Sequence, residues 1–254
     1  MYDAGFRHLN SVMDLGMRHI KVYLQNRLDA NASPRTMANQ LAHLRGMLRH
    51  AGNRQIYDRI KIPNTELGIP PSKRLGSKIP MSEIEFSAVV ESIACKNLKV
   101  ILELERALGL RAMEAIRAGQ SLRGWQTQIS SGSDSIDVVY GTKGGRVRCT
   151  RIPDSQRALT AINSSIAIME HGRLAPRRTL KEAVCWYRNS THRLGVQGHR
   201  LRYAFAQDCV NSYLLSGMSA REAYARTSMD LGHGDGRGRW VKMVYCQNKI
   251  SEIL

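Results

Sequence analysis

Hydrophobic residues recur at intervals of three and four along the first part of the chain. Over residues 5–28 this spacing predicts a helix with one buried face. A second helix is predicted to begin at Ser33-Pro34, because Ser caps a helix and Pro fits its first position. Gly52 then provides the expected end of that helix. Together these signals predict a small helical unit.

The composition changes between residues 60 and 80. This span contains four prolines together with glycines and basic residues, which is typical of an extended connection between domains. We therefore place a domain boundary near residue 77. The prediction is a helical domain over residues 1–77, with the linker at its end, followed by a second domain over residues 78–254.

The second domain begins with helical spacing. Ser82 and Glu85 predict a capped helix start, and a longer helix is predicted from Lys96 to Gly109, followed by another from Leu110.

Residues 125–152 have a different pattern, with three short runs rich in β-branched residues separated by turn residues. The runs are 125–129, 135–140 and 147–152, and they predict a three-stranded antiparallel sheet. Lys143 lies at the tip of one hairpin, where a lysine is usually solvated but can also carry a mobile cation into a groove.

The remaining pattern is helical, over residues 155–170, 179–188, 199–215, 219–231 and 238–250. The glycine-rich stretch 231–238 follows no predicted strand and contains no Gly-Lys-Ser/Thr sequence, so we reject a nucleotide site. The predicted fold is mainly α with a small antiparallel β-sheet.

Charge narrows the choice of partner. The sequence has 38 Lys and Arg against 21 Asp and Glu, a net charge of +17 and a pI near 10.1. Residues 1–77 contain 12 of these cations and five of the acids, so both domains are basic. Such a distribution favours a long phosphate backbone, whereas proteins that bind a membrane surface usually concentrate charge in one amphipathic helix.

Other features exclude several classes of protein. There is no run of 18 apolar residues and no signal peptide at the N-terminus, so we expect neither a membrane span nor export. The five cysteines are scattered and form no C-x-x-C pair. We therefore expect reduced thiols in the cytoplasm and no metal site.

Two pairs of polar residues lie three positions apart on helices and so share a face. His199 and Arg202 place an imidazole beside a guanidinium, a combination that suits a phosphate. Arg111 and Glu114 form the other pair. Taken alone, the first could be an ordinary helix start, and the second an ordinary surface ion pair.

Taken in order, Arg111, Lys143, the His199-x-x-Arg202 motif, Leu231-Gly232-His233 and Tyr245 resemble the tyrosine recombinase (phage integrase) family. The resemblance extends over the whole chain and is strongest over residues 80–254. It implies a two-domain architecture, in which a helical core-binding domain and an α+β catalytic domain form a clamp around DNA.

The resemblance also implies roles. Tyr245 would attack the scissile phosphate and form a 3′-phosphotyrosine link, while Arg111 and Arg202 would bind the non-bridging oxygens. Lys143 would protonate the leaving 5′ oxygen, and no metal or nucleotide cofactor is required.

The remaining roles are supporting ones. His199 would manage the tyrosine proton, His233 would hydrogen-bond a phosphate oxygen, and Glu114 would orient Arg111. We further predict DNA contacts for a set of basic residues, although a solvated basic face explains the helical members equally well. The set is Arg35, Arg45, Arg49 and Arg146.

The sequence departs from the family pattern at two points. The residue after the second arginine is Tyr203 rather than the usual histidine, which makes it a competing candidate nucleophile. Tyr245 follows His233 by 12 residues, a longer interval than is usual, and the loop 234–238 is expected to absorb the difference.

The leading interpretation is a site-specific recombinase that integrates or excises a mobile element. Its implied partners are double-stranded DNA attachment sites, three further copies of the chain in a tetramer on two sites, and an accessory directionality factor, in the nucleoid of a bacterial or phage-host cell. The alternatives are a type IB topoisomerase-like enzyme and a non-catalytic basic DNA-binding regulator.

Overall fold

A computed structural model describes residue 6, residues 9–72, residue 76 and residues 78–247. The chain divides into two compact units, Met1–Arg74 and Leu75–Leu254. The boundary predicted near residue 77 falls at a position outside the described residues. Helices dominate both units and one small antiparallel sheet is present, so the predicted fold class is confirmed.

The first unit is helical. Its elements are the 3₁₀ turn Val12–Asp14, α1 (Met17–Asp29), α2 (Pro34–Ala51), α3 (Arg54–Ile60) and the 3₁₀ turn Asn64–Leu67. Ser33 caps α2 by accepting a hydrogen bond from the Thr36 amide, and Gly52 ends it with φ +82°, as the sequence predicts.

Two details of the first unit differ from prediction. The first α-helix begins at Met17 rather than near residue 5, because a capped 3₁₀ turn precedes it. Ile69 is buried with the core of this unit, so the chain remains packed well beyond the predicted start of the linker.

The second unit contains two hydrophobic clusters. Its helices are α4 (Glu83–Ser92), α5 (Lys96–Leu108), α6 (Ala112–Ile116), α7 (Leu122–Ser130), α8 (Ser155–Ile168), α9 (Leu180–Arg193), α10 (Gly198–Leu215), α11 (Ala220–Asp230) and α12 (Gly238–Tyr245). One cluster is built largely by α4 to α9, and the other by α10, α11 and α12. The last helix was predicted to reach residue 250 but ends at Tyr245, with Cys246 as its C-cap; residues 248–250 lie outside the described part of the chain.

The sheet has two strands rather than the predicted three. β1 (Ser135–Val138) pairs antiparallel with β2 (Arg148–Arg151). The run 125–129 instead belongs to α7, where Trp125 and Ile129 are buried on one helical face. A spacing of four residues places both side chains on one face in a strand as well as in a helix, so the pattern of this short run is compatible with both.

Within the described residues, no helix is long and apolar enough to cross a membrane.

Candidate active site

The site begins where α5 ends and α6 starts. Gly109 ends α5 with φ +58°, and a Cβ there would lie 2.1 Å from a ring carbon of Phe205, so the position requires glycine. Arg111 then caps α6. Its amide donates to Glu114 Oε2 at 2.8 Å and its Nη1 donates to Oε1 at 2.7 Å. The pair identified by its spacing is therefore a two-point contact, with the carboxylate fully buried.

Arg202 lies on α10 and is only 1% exposed. Its Nη1 donates to the Gly109 carbonyl and its Nη2 donates to the Leu231 carbonyl. The Leu231 carbonyl also accepts a bond from Arg111 Nη2 at 3.0 Å. The two arginines expected to bind phosphate are thus anchored to the same backbone oxygen.

A third arginine, Arg148, completes this cluster and was missed in the sequence. Its Nη2 donates to Glu114 Oε2 at 2.9 Å and to the Gly109 carbonyl at 3.3 Å, and its Nη1 donates to the Asp230 carbonyl. Arg148 and Thr150 are the buried residues of β2, and Ile152 continues this alternation. The available signal was the alternation of the strand, because Arg148 lies an even number of residues before apolar Ile152 and so points to the same, buried face.

The cluster carries excess positive charge. Among the described residues, Glu114 is the one carboxylate that forms ion pairs in this cluster; its partners are Arg111 and Arg148, whereas Arg202 bonds to backbone carbonyls. Burial alone would raise the pKa of Glu114, but Arg148 and the other hydrogen-bonding and charged neighbours hold it at about 2. Burial, followed by the charges of Arg148 and Arg111, lowers the pKa of Arg202 to about 9.

Tyr245 lies at the end of α12, next to this cluster, and is 3% exposed. Its hydroxyl is 3.5 Å from His233 Nε2. Its ring centroid is 4.4 Å from that of Tyr203 and 6.0 Å from that of His199. His233, rather than His199, is therefore the histidine within hydrogen-bonding distance of the tyrosine hydroxyl.

Close backbone approaches fix the position of α12. The Gly76 amide donates to the Met243 carbonyl at 3.3 Å, and a Cβ on Gly76 would lie 2.1 Å from the Val244 carbonyl oxygen. At the other end, Gly238 packs against the Ala225 backbone of α11. The loop before α12 contains glycines with positive φ at 232, 234 and 236, so it accommodates the long interval between His233 and Tyr245.

Both histidines are neutral at pH 7. Desolvation, followed by the charges of Arg202 and Arg111, lowers the pKa of His233 to about 3. The His199 residue is exposed overall, but desolvation by the atoms packed around its ring and the nearby cations, first Arg202 and then Lys78, lower its pKa to about 4. Burial and Tyr245 raise the pKa of Tyr203 to about 12, which makes Tyr203 a poor nucleophile.

Lys143 is not brought into this cluster. It is exposed on the 3₁₀ turn Lys143–Gly145, and within the described chain it makes no hydrogen bond or ion pair. The base of the turn is fixed, because a Cβ on Gly141 would lie 2.4 Å from the Met113 carbonyl oxygen of α6. Arg146 is exposed next to the same turn.

The predicted DNA-facing arginines of α2 differ in their surroundings. Arg35 and Arg49 are exposed. Arg45 instead donates to the Ile60 carbonyl at 2.8 Å, the Ile62 carbonyl at 2.7 Å and Asn64 Oδ1 at 2.9 Å. Three of its five N–H donors therefore hold the end of α3 in place.

A buried cluster of positive charge beside a tyrosine is a site suited to phosphoryl chemistry. Comparisons with known proteins agree with this class. The family model described as Integrase matches residues 68–208, and the model described as Phage integrase, N-terminal, matches residues 5–57. No curated protein sequence matches this chain.

Among solved structures, the chain is similar to the Tn1549 transposon integrase (amino acids 82–397) in complex with circular intermediate DNA. The TM-score is 0.54 and the identity 12%, with 96% of this chain and 86% of that chain covered. At this identity the likeness concerns the fold.

The integrase match covers more than half of the sequence, and the chain belongs to the phage integrase family of tyrosine recombinases. Its activity class is accordingly site-specific recombination. The match includes Arg111, Lys143, His199 and Arg202, and it ends before His233 and Tyr245.

Proposed function

We propose that this protein integrates or excises a mobile element by cleaving and rejoining DNA through a 3′-phosphotyrosine link to Tyr245. The observation that carries the proposal is the cluster of Arg111, Arg148 and Arg202 beside Tyr245, in which one carboxylate, Glu114, forms ion pairs with two of the three arginines. An uncompensated charge in a site of low dielectric stabilises an anion strongly, and most strongly where negative charge develops during the reaction.

The proposed substrate is double-stranded DNA. The net charge of +17, present in both halves of the sequence, suits a long polyanion. The structurally similar Tn1549 transposon integrase was solved in complex with circular intermediate DNA. We extend the proposal to attachment sites bound by four copies of the chain in the bacterial cytoplasm, with an accessory factor setting the direction of the reaction.

Each of three side chains has one role in the proposed reaction. The Tyr245 oxygen bonds to phosphorus as the bond from phosphorus to the 5′ oxygen breaks. The phenolic proton passes to His233 Nε2, the nitrogen 3.5 Å away, and the leaving 5′ oxygen takes a proton from Lys143. Attack by another 5′-hydroxyl reverses these steps and rejoins the strand.

A bound phosphate also makes His233 a better base. In the free protein desolvation lowers its pKa most, and the positive charges of Arg202 and Arg111 lower it further. The phosphate anion offsets those charges, so the pKa of His233 rises when the substrate is in place. His199, whose ring centroid is 5.2 Å from that of Tyr203 and 6.0 Å from that of Tyr245, is assigned a supporting role in the same proton transfer.

Substrate binding must open this site. Arg202 and Tyr245 are buried, whereas the side chain of Arg111 is 26% exposed. Arg111 is therefore the first of the clamping residues to meet the scissile phosphate. Arg202 follows when the glycine-containing loop before α12 moves away from the cluster.

The test uses a nicked suicide DNA substrate. After cleavage the short strand that carries the new 5′-hydroxyl dissociates, so the strand cannot be rejoined and the covalent intermediate is trapped. Wild-type protein should yield a covalent complex, and Tyr245→Phe should yield none while still binding DNA. Tyr203→Phe is the matched control, since its ring lies 4.4 Å from that of Tyr245, and it should retain the complex. A complex of undiminished yield in Tyr245→Phe would overturn the assignment.

Two assays on the wild-type protein distinguish a recombinase from a topoisomerase-like enzyme. We expect strand exchange between two attachment sites and no relaxation of a supercoiled plasmid that lacks them. Relaxation of generic plasmid DNA would instead indicate a topoisomerase-like enzyme.

A further inference from the structure

A second concentration of positive charge lies at the C-terminal end of α6, where Arg117 caps that helix. It surrounds a cavity of about 280 Å³ formed by the end of α6, the loop 170–179 and the start of α9. Four arginines line the cavity: Arg117, Arg173, Arg177 and Arg178. Its floor includes the buried apolar residues Ile116 and Ala183.

None of the four arginines is in an ion pair with any carboxylate in the described chain. The nearest acidic group of the first turn of α9, Glu182, accepts a bond from the Thr179 amide at 3.1 Å and so caps that helix. Glu182 also interacts electrostatically with Arg177, but four arginines outnumber this one carboxylate, so the cavity keeps a net positive charge.

The arginines are held by contacts that leave their charge intact. Arg117 lies over the ring of Tyr140, with its Cζ 5.7 Å from the centroid, and Arg177 lies over Trp186 at 5.9 Å. Arg173 Nη1 donates to the Arg178 carbonyl at 3.1 Å. Ring faces and carbonyls orient guanidinium groups without neutralising them, so the cavity is organised in advance for an anion.

The loop that carries three of these arginines is anchored. Leu174 is buried, and its carbonyl accepts a bond from Asn97 Nδ2 at 2.8 Å. The backbones of Glu170 and Arg173 pair with each other. A Cβ on Gly119 would lie 2.3 Å from the Gly172 carbonyl oxygen, so the loop also packs closely against the segment after α6.

We propose that this cavity is a second phosphate site, which binds a backbone phosphate of the DNA substrate at a distance from the scissile one. The inference rests on the proposed function. Guanidinium groups bind two phosphate oxygens at once, and the apolar floor strengthens the attraction by lowering the local dielectric.

The position of the cavity favours DNA as the source of the phosphate. Arg111 and Arg117 flank α6, and six residues of helix span about 9 Å. Phosphates recur about every 3.4 Å along the axis on each strand of a duplex. A strand whose scissile phosphate lies at Arg111 therefore has further phosphates within reach of Arg117 and the loop arginines.

The test compares two variants of equal charge. Arg173→Gln with Arg177→Gln removes two cavity arginines, and Arg188→Gln with Arg193→Gln removes two exposed arginines from α9 that do not line the cavity. Binding to a mixed-sequence duplex is measured between 50 and 200 mM salt. Each lost phosphate contact reduces the slope of log affinity against log salt by about 0.9, so the cavity variant, which loses one phosphate, should lose about 0.9 in slope.

That change means that wild-type affinity falls about 3.5-fold more than the variant's over this fourfold rise in salt. The control variant should keep the wild-type slope. Both variants should give the wild-type yield of covalent complex at saturating DNA, because the cavity acts on binding rather than on cleavage. A failed trap in wild-type protein would contradict the proposed function and leave the comparison of slopes valid.

Two results would overturn the inference. Equal slopes in the cavity variant and in wild-type protein, or an equal loss in the control, would show that the cavity makes no particular DNA contact. Calorimetric titration with inorganic pyrophosphate tests whether the cavity binds a free phosphate compound. If wild-type protein binds pyrophosphate, the cavity variant does not, and the slopes agree, the site takes a free phosphate compound instead of DNA.

Discussion

Glu105 and Tyr187 form a buried pair beneath the first residues of α10. The Tyr187 hydroxyl lies 2.8 and 2.7 Å from the two oxygens of Glu105. Gly198 lies directly over them, and a Cβ there would be 2.7 Å from both the carboxylate and the hydroxyl. The pair therefore sets the position of the helix start that carries His199 and Arg202.

This pair predicts a pH dependence of stability. Burial raises the pKa of Glu105 from its usual 4.5 to about 8. A raised pKa in the folded state contributes stability that is complete below the unfolded value and is lost as the pH rises through about 8. The free energy of unfolding in urea should therefore fall between pH 5 and pH 9 in wild-type protein, and less so in Glu105→Gln.

Glu91→Gln is the matched control, because Glu91 is exposed, and it should retain the wild-type pH profile. An identical profile in Glu105→Gln would contradict the prediction.

At the scale of residues, the sequence predicted much of the site but not its centre. Arg111, Glu114, Arg202, His233 and Tyr245 were found by their order and spacing, and the structure brings them together. Arg148 was missed because only tertiary contacts show that an arginine of a short strand is buried. Lys143 remains outside the cluster because its turn makes no contact that would direct it inward.

At the scale of elements, the ends of two helices hold the arginines. Gly109 ends α5 and Leu231 ends α11, and the carbonyls at these ends have no partner within their own helices. The negative end of the helix dipole adds to the attraction for a cation. Arg148 and Arg202 bond to the Gly109 carbonyl, and Arg111 and Arg202 bond to the Leu231 carbonyl.

This arrangement predicts an unequal effect of two glycine substitutions. Gly217→Ala, at φ +87° in open space, should cost about 1–2 kcal/mol from backbone strain alone. Gly109→Ala adds a steric conflict with Phe205 and should cost roughly 1–3 kcal/mol more. It should also slow single-turnover cleavage, because the acceptor of two arginines is displaced.

Urea unfolding and single-turnover cleavage of a nicked substrate measure these two effects. Equal losses in the two variants would mean that the contact with Phe205 is relieved without moving the Gly109 carbonyl.

Helix ends that carry a cap were predicted most accurately, because a cap depends on a few neighbouring residues. Ser33, Gly52, Ser82 and Gly109 mark helix ends as expected. The segment 125–129 was assigned wrongly because five residues contain too little periodicity to distinguish a strand from a helix. The packing of Trp125 against β1, where its Nε1 donates to the Asp137 carbonyl at 2.9 Å, depends on contacts that spacing does not reveal.

At the scale of the whole molecule, each unit has its own core. Ile20, Met37, Leu41 and Leu48 are buried in the first unit, within a cluster that contains no residue of the second. We therefore expect a fragment of residues 76–254 to fold alone and to form the covalent complex with a nicked substrate.

That fragment retains 26 of the 38 Lys and Arg residues, so its binding should depend less steeply on salt than that of the full chain. Near-ultraviolet circular dichroism, urea unfolding and the salt slope test this prediction. A fragment without fixed aromatic signals or a cooperative transition would show that the second unit depends on the first.

The anchoring of three arginines by main-chain oxygens has a consequence for how the site can be mapped. Replacing a side chain leaves the carbonyl of that residue in place, so a scan of substitutions would register Leu231 only as a core leucine. Such a scan would not detect the carbonyl oxygens that orient the three arginines. Replacing the peptide bond that follows residue 231 with an ester, which weakens its carbonyl as an acceptor, would reveal them.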